Sequence, residues 1–334
     1  MQCARGGRRK PCGRRYPVLP EVQCSDIVTS SMPSIADCHL HFFSFQYFRL
    51  LTEQRGVEPT DEAVEETLRL LQWELPPVSA TKFAEKWIEE LDRNGLSQAA
   101  ILASLPGDEA SVAEAVRAYP DRFFGYFFLN PIAPDATQRV RWALEAGLRG
   151  ICLLPAMHRF SLRETGVEAV AKMAAETPGC VVFVHCGLLS VGVRGKLGLP
   201  SPFDMSYSNP IDLHALALRY PEVPFVIPHF GAGYFREALM LGHLCKNVYF
   251  DTSSSNSWTR FQEADLTLKD VLRKALDVVG PKRLMFGTNS THFPAGWDRK
   301  ILDQQLAAFQ ELGVGNADLA DILGGNLRRI LRKE

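Results

Sequence analysis

The sequence predicts a (β/α)8 barrel with a long insertion after the first strand. Three observations carry this. Eight short runs are almost continuously apolar rather than alternating, as strands buried on both faces of a parallel sheet are. Amphipathic helical stretches separate them. The alternation occupies about 300 residues, a usual size for one such barrel.

The strand-like runs, in order, are Ser34–His41, Gln98–Ala103, Arg122–Leu129, Gly150–Leu154, Cys180–His185, Val223–His229, Asn247–Asp251 and Arg283–Gly287. Helical patterns fall at Asp108–Tyr119, Pro134–Ala146, Arg163–Glu176, Asn209–Tyr220, Tyr234–Cys245, Leu266–Val279 and Asp298–Glu311. A strand–helix alternation of this kind folds as one barrel domain, here residues 33–334. Roughly 55 residues separate the first two strands, too many for a plain connection in a compact domain. Residues 42–95 therefore read as an insertion ending in the helix "ATKFAEKWIEELDRNG", and residues 42–78 as a lid. The aromatic cluster Phe42, Phe43, Phe45, Tyr47 and Phe48 opens it, placed either to line a pocket or to pack the insertion onto the barrel.

The first 32 residues differ from the rest. "MQCARGGRRKPCGRRYPVLP" holds six basic residues, no acidic one and no apolar signal core, and reads as a disordered basic tail. Over the whole chain of 334 residues, 46% are hydrophobic, 22% are charged and the net charge is −1. That balance gives no reason to expect a nucleic-acid or membrane-surface partner. No apolar run reaches the roughly 18 residues of a membrane span. The 8 cysteines form no CxxC pair, so we expect reduced, buried thiols and a cytoplasmic protein. The expected partner is a small-molecule substrate, and a homo-oligomer is compatible with the sequence.

Chemistry concentrates at predicted strand ends. In "IADCHLHFF" strict alternation would turn Asp37, His39 and His41 to one face and Cys38 and Leu40 toward the helices. Two imidazoles at the C-terminal end of a barrel strand form half of a metal site. "VVFVHCG" ends a strand at His185 and "FVIPHFGAG" ends the next at His229. His158 and His292 follow the fourth and eighth strands and are placed to face the site, whereas His214 and His243 fall inside helical patterns. Arg159, Arg194 and Arg236 lie in loops from which a substrate carboxylate could be clamped.

With these motifs the chain resembles the amidohydrolase superfamily, in its amidohydrolase-2 branch. That branch also holds decarboxylases such as aminocarboxymuconate-semialdehyde and resorcylate decarboxylases. The resemblance runs from Ile35 to the C-terminal "DILGGNLRRIL". It implies one divalent ion, zinc by default, on His39, His41 and His185. It implies that His229 contacts substrate or the activated water, and that "VYFDTSSS" is the seventh strand with Asp251 at its end. Binuclear relatives carry a bridging lysine on the fourth strand, and "GICLLPA" has none. The eighth strand departs from the pattern. An aspartate is expected there as metal ligand and proton acceptor, but "FGTNSTHFP" presents Asn289. An amide oxygen ligates weakly and accepts no proton near neutral pH.

Three functions stay open on the sequence. The first is a metal-dependent hydrolase of a small organic molecule, with His229, Asp251 and Asn289 around the reaction and Phe43, Arg159 and His292 on the substrate. The others are a non-oxidative decarboxylase and a relative that binds a ligand without turning it over.

Overall fold

The computed structural model describes residues 33–253 and 256–331. The basic tail lies outside them. Eight parallel strands follow one another around the sheet in chain order: β1 (Ile35–His41), β2 (Leu96–Ala103), β3 (Phe123–Leu129), β4 (Gly150–Leu153), β5 (Val181–Val184), β6 (Phe225–Ile227), β7 (Val248–Asp251) and β8 (Leu284–Met285). The last strand returns to the first. Cys38 N donates to Phe286 O at 2.9 Å, His41 N to Ser290 O at 2.8 Å and Asn289 N to His39 O at 2.8 Å. The expected (β/α)8 barrel is therefore the architecture.

The helices between and after the strands are α1 (Phe45–Gln54), α2 (Asp61–Leu71), α3 (Ala80–Arg93), α4 (Glu109–Ala118), α5 (Ala136–Glu145), α6 (Pro155–His158), α7 (Thr165–Ala175), α8 (Gly192–Lys196), α9 (His214–Arg219), α10 (Phe235–Leu244), α11 (Leu268–Val279), α12 (Arg299–Glu311), α13 (Asn316–Ala320) and α14 (Asn326–Leu331). None of the described helices is long and apolar enough to cross a membrane. The insertion supplies α1 to α3, and polar caps fix where they begin. Ser44, Thr60 and Ser79 each accept a backbone N–H in the first turn of α1, α2 and α3.

The core has the two layers of a barrel. One set of side chains packs between strands and helices, among them Ile101, Phe127, Ile151, Val182, Phe225 and Phe250. The other fills the barrel interior, with Ala36, Cys38, Leu102, Tyr126, Cys152, Phe183 and Met285. Cys38, Cys152, Cys180, Cys186 and Cys245 are free and buried. Burial pushes the Cys180 thiol up to about 12.

The first strand corrects the expected alternation. Ala36 pairs with Gln98 and Asp37 with Ala99, but Leu40 pairs with Ile101. Between Asp37 and Leu40 the strand carries one residue more than its partner, a β-bulge. Cys38 therefore packs inside the barrel rather than toward the helices, and Leu40 keeps its outward place. Asp37 leaves the histidine face. Its carboxylate accepts from Trp297 Nε1 at 2.8 Å, Thr288 Oγ1 at 2.5 Å and the amides of His39 and Thr288. Burial raises its carboxyl to about 6 against those four donors. The bulge thus ties β1 to the β8 exit and still delivers His39 and His41 to the barrel mouth.

Candidate active site

The C-terminal ends of β1, β5, β6 and β8 deliver His39, His41, His185, His229 and Asn289 to the floor of one cavity of about 710 Å³. The bulge sets the two β1 histidines with ring centroids 5.2 Å apart. His229 lies 5.2 Å from His39 and 5.5 Å from His185 by the same measure. Leaving β6, the backbone turns through left-handed conformations at His229 (φ 53°), Phe230 (φ 53°) and Ala232 (φ 41°). This crowded exit explains the glycine that ends β5. A Cβ at Gly187 would stand 2.1 Å from Gly231 O, so only glycine lets the two strand exits pass.

Three of the imidazoles are held through Nδ1. His39 Nδ1 lies 2.6 Å from Asp251 Oδ2 at the end of β7. Asp251 also accepts from the Ser253 amide at 2.6 Å and the Ser253 hydroxyl at 2.8 Å. Burial alone would raise the Asp251 carboxyl; His39, with His229 and the Ser253 amide, outweighs it and holds the group below the usual carboxylate range. His229 Nδ1 lies 3.1 Å from Ser253 O and donates to it. His41 Nδ1 lies 2.6 Å from Ser104 Oγ, just past β2. His185 Nδ1 is buried and has no protein partner. Burial lowers three of these rings, His41 and His185 to about 3 and His229 to about 4. Neighbouring imidazoles push the same way, and the rings are neutral at physiological pH.

The second nitrogen of His41 faces Asn289, with Nε2 2.9 Å from Oδ1. One tautomer satisfies the whole line from Ser104 through His41 to Asn289. With the proton on Nε2, that nitrogen donates to the amide oxygen and Ser104 donates to Nδ1. With the proton on Nδ1, it donates to Ser104. The Nε2 lone pair and the amide oxygen are then two acceptors side by side, a contact that a cation shared between them would satisfy. Tetrahedral ligands about 2.1 Å from an ion stand roughly 3.4 Å apart, somewhat wider than the 2.9 Å seen here. Asn289 holds this position with φ 60°, a left-handed conformation that asparagine adopts more readily than most residues.

Among the described residues no three His, Cys, Asp or Glu side chains already converge as a metal-binding group. The donor opposite His41 Nε2 is an amide instead. In kind, the residues still suit a divalent ion. They are imidazoles, and two imidazoles sharing one tetrahedral ion place their centroids roughly 5 Å apart. Ligating histidines are commonly oriented by a hydrogen bond at the other ring nitrogen, as His39 and His41 are here.

The insertion builds the wall. Phe43 lines the cavity, stacks on Tyr47 at 4.2 Å and lies 5.6 Å from Trp73. Phe43 and Tyr47 belong to one apolar cluster with Phe45, Phe48, Leu51, Val64, Leu68, Leu71 and Val193 of α8. Arg194 of α8 donates to Gln54 of α1, so the loops after β1 and β5 close the cavity together.

The structure separates the other sequence candidates. His158 lines the cavity. His292 does not; it is buried against Phe43, Phe48, Trp73 and Phe83, with Nε2 2.8 Å from Glu74 O. Arg159 spends Nε and Nη2 on Pro202 O and lies outside the lining. Arg236 pairs with Glu237 away from the floor. Of the three arginines, Arg194 lines the cavity. Ser104 and Ser253 were not singled out from sequence, though each is the polar residue that meets the site where an apolar strand ends.

Comparison with known proteins agrees with the barrel fold. Over 87 residues the chain is 34% identical to Protein fluG of Emericella nidulans, a match covering 26% of this chain; it spans only 10% of that relative's length. An uncharacterized TIM-barrel protein from Bordetella bronchiseptica superposes with a TM-score of 0.61 at 18% identity, over 89% of this chain and 98% of the other. An amidohydrolase from Burkholderia multivorans with bound zinc gives 0.58 at 17%, over 89% and 99%. The 4-oxalomesaconate hydratase of Rhodopseudomonas palustris gives 0.57 at 16%, over 89% and 95%. At these identities the solved structures speak for the fold. The family model described as amidohydrolase matches residues 36–333, nearly the whole barrel, and this chain belongs to that family, in its amidohydrolase-2 branch.

Proposed function

We propose that this chain is a metal-dependent hydrolase acting on a small organic molecule bound in the cavity between the barrel mouth and the β1 insertion. One observation carries the reading. His39 and His41 line the cavity with Nδ1 engaged, by Asp251 and Ser104, and the Nε2 of His41 faces the Asn289 amide oxygen on the same floor. His39, His41 and His185 would hold one divalent ion. Zinc suits imidazole donors. When bound, such an ion supplies a Lewis acid and brings the pKa of its water toward neutrality.

The chain's own residues divide the remaining work. Asn289 would offer an amide oxygen to such an ion and cannot take a proton. Asp251 keeps the His39 ring in one tautomer and orientation, with Ser253 bracing both Asp251 and His229. His229, neutral and lining the cavity, is the residue left to accept a proton and return it to the leaving group. Phe43 and Trp73 exclude water from the substrate side.

Elemental analysis of purified, zinc-loaded protein tests the reading, combined with assay of an ester, lactone and amide panel and of carbon dioxide release. About one equivalent of metal and turnover of one hydrolysable class are expected. Protein that takes up no metal under any loading condition would sink the reading, and carbon dioxide release without hydrolysis would replace it with the decarboxylase.

A further inference from the structure

The cavity has a charge pattern that the histidine floor does not explain. Its lining contains Arg194 and Lys196, both on α8, and not one Asp or Glu. On the floor His41, His185 and His229 are neutral and Asn289 is an uncharged amide, and the carboxylate of Asp251 lies behind His39, outside the lining. The rest of the wall is largely apolar, with Phe43, Trp73, Phe128, Phe183 and Phe203 among the rings.

Arg194 is held in place without being neutralised. Its Nε donates to Pro200 O at 2.8 Å and its Nη1 to Gln54 Oε1 at 2.6 Å, both uncharged acceptors. Neither Arg194 nor Lys196 pairs with a carboxylate among the described residues, whereas arginines elsewhere on the chain do. A guanidinium has five N–H donors in a rigid fork, and the two bonds here leave an Nη2 edge free. A half-buried, oriented, uncompensated cation beside an apolar cavity is relieved by an anion that can pair with it.

On the reading of this cavity as the substrate site of a hydrolase, we infer that the substrate is an organic acid with one anionic group and an apolar, ring-containing body. Its carboxylate is anchored by Arg194, with Lys196 at the rim, and its reacting bond reaches the histidine floor. A polyanion is disfavoured, because further carboxylates would be buried against phenylalanine and leucine side chains without partners. The cavity volume of about 710 Å³ admits a body of one or two rings.

Equilibrium binding to the full-length protein after EDTA dialysis tests this, using 4-phenylbutyrate, its uncharged analogue 4-phenylbutyramide and the tricarboxylate tricarballylate. The monoacid should bind about tenfold more tightly than the amide, the scale of one charge-assisted hydrogen-bonded pair, and more tightly than tricarballylate. Arg194→Met should bring the acid down to the affinity of the amide, with the amide unchanged as the sign that the pocket is intact. Arg194→Lys should keep part of the preference, and Lys196→Met should reduce it less. Equal affinities of acid and amide, or tighter binding of tricarballylate, would overturn the inference. So would a preference that survives Arg194→Met, or one that appears only in zinc-loaded protein and so belongs to the floor. Because the binding is measured without metal and without turnover, failure of the hydrolase reading shows in elemental analysis and assay, and failure of the anchor shows here.

Discussion

His41 Nε2 lies 2.9 Å from Asn289 Oδ1 on the floor of the cavity, and we propose that the amide stands where a hydrolase would bring a carboxylate to its metal. The residue after Thr288 thus faces the floor, and its backbone N–H, bonded to His39 O, locks it to the strand that carries the histidines. Replacing the amide by a carboxylate adds one negative charge beside a dication at nearly constant shape, and aspartate also tolerates the left-handed φ of 60°. Asn289→Asp should therefore tighten zinc binding, by about tenfold (about 1.4 kcal/mol) or more, as read by competition with a chelator. It should also raise ester or lactone hydrolysis if the amide has merely weakened a hydrolytic site. It should lower the native turnover if that turnover uses the amide. Unchanged zinc affinity would remove Asn289 from the metal's surroundings.

Ser104 and Asp251 are predicted to act through the imidazoles they hold. Ser104→Ala removes the partner of His41 Nδ1, and Asp251→Asn weakens the partner of His39 Nδ1. Loss of such a hydrogen bond costs roughly 10–100-fold in metal affinity. Both variants should show this in zinc titrations while keeping the far-ultraviolet circular dichroism of the barrel. Wild-type zinc affinity in Ser104→Ala would mean that the hydroxyl does not position His41.

The insertion divides into a residue that meets ligand and residues that hold the lid. Phe43 and Phe45 are buried in the same cluster with α1 and α2, but Phe43 also lines the cavity and Phe45 does not. Phe45→Ala should cost stability on the scale of a large core truncation, about 3–5 kcal/mol. Phe43→Ala should cost less stability and weaken binding of an apolar ligand more, because its ring has the cavity on one side. Denaturant melts and ligand titrations on the two variants give the comparison. Equal ratios of lost stability to lost affinity would make Phe43 a packing residue only.

The barrel was legible because its strands are apolar on both faces and its helices on one, and those two periods survive in the sequence. The four floor histidines were legible because a polar residue at the end of an apolar run has nowhere to go but the mouth. The face of Asp37 was not. A bulge inserts one residue without any composition mark, and it reverses the alternation on which the assignment of Asp37 and Cys38 rested. Position after a strand was also too coarse for the side walls. His292 follows β8 as closely as Asn289 does, yet packs under the insertion with its ring on Phe48 and Trp73. Arg159, in its own left-handed conformation, is drawn to a carbonyl of the β5 loop. The side-chain hydrogen-bond partners of those two residues lie more than 40 positions away in sequence, so local pattern carries no trace of them.

Acid should destabilise the metal-free protein well above the range of ordinary carboxylates. Burial lowers His41 and His185 to about 3 and His158, His229 and His292 to about 4, from 6.5. Between those values and 6.5 the unfolded chain binds more protons on these rings than the folded one, so stability rises with pH. Two carboxyls oppose this. Burial raises Asp37 to about 6, and raises Asp108 to about 7 against hydrogen bonds from Ser111 and Ser44. On these groups the folded state binds more protons from 3.8 upward, and stability falls with pH until their folded values are passed. Five imidazoles outnumber two carboxyls, so the unfolding free energy in EDTA should climb from about pH 4.5 to pH 6.5, with a slope below the roughly 1.4 kcal/mol per pH unit per group that five unopposed rings would give. Asp108→Asn deletes one opposing group and should steepen the climb, most clearly between pH 5 and 7. Urea melts at fixed intervals of pH on both proteins provide the test. A wild-type profile that is flat or falls over this range would mean that the floor imidazoles are not held neutral by burial, and an unchanged slope in Asp108→Asn would mean that Asp108 titrates as an exposed carboxyl does.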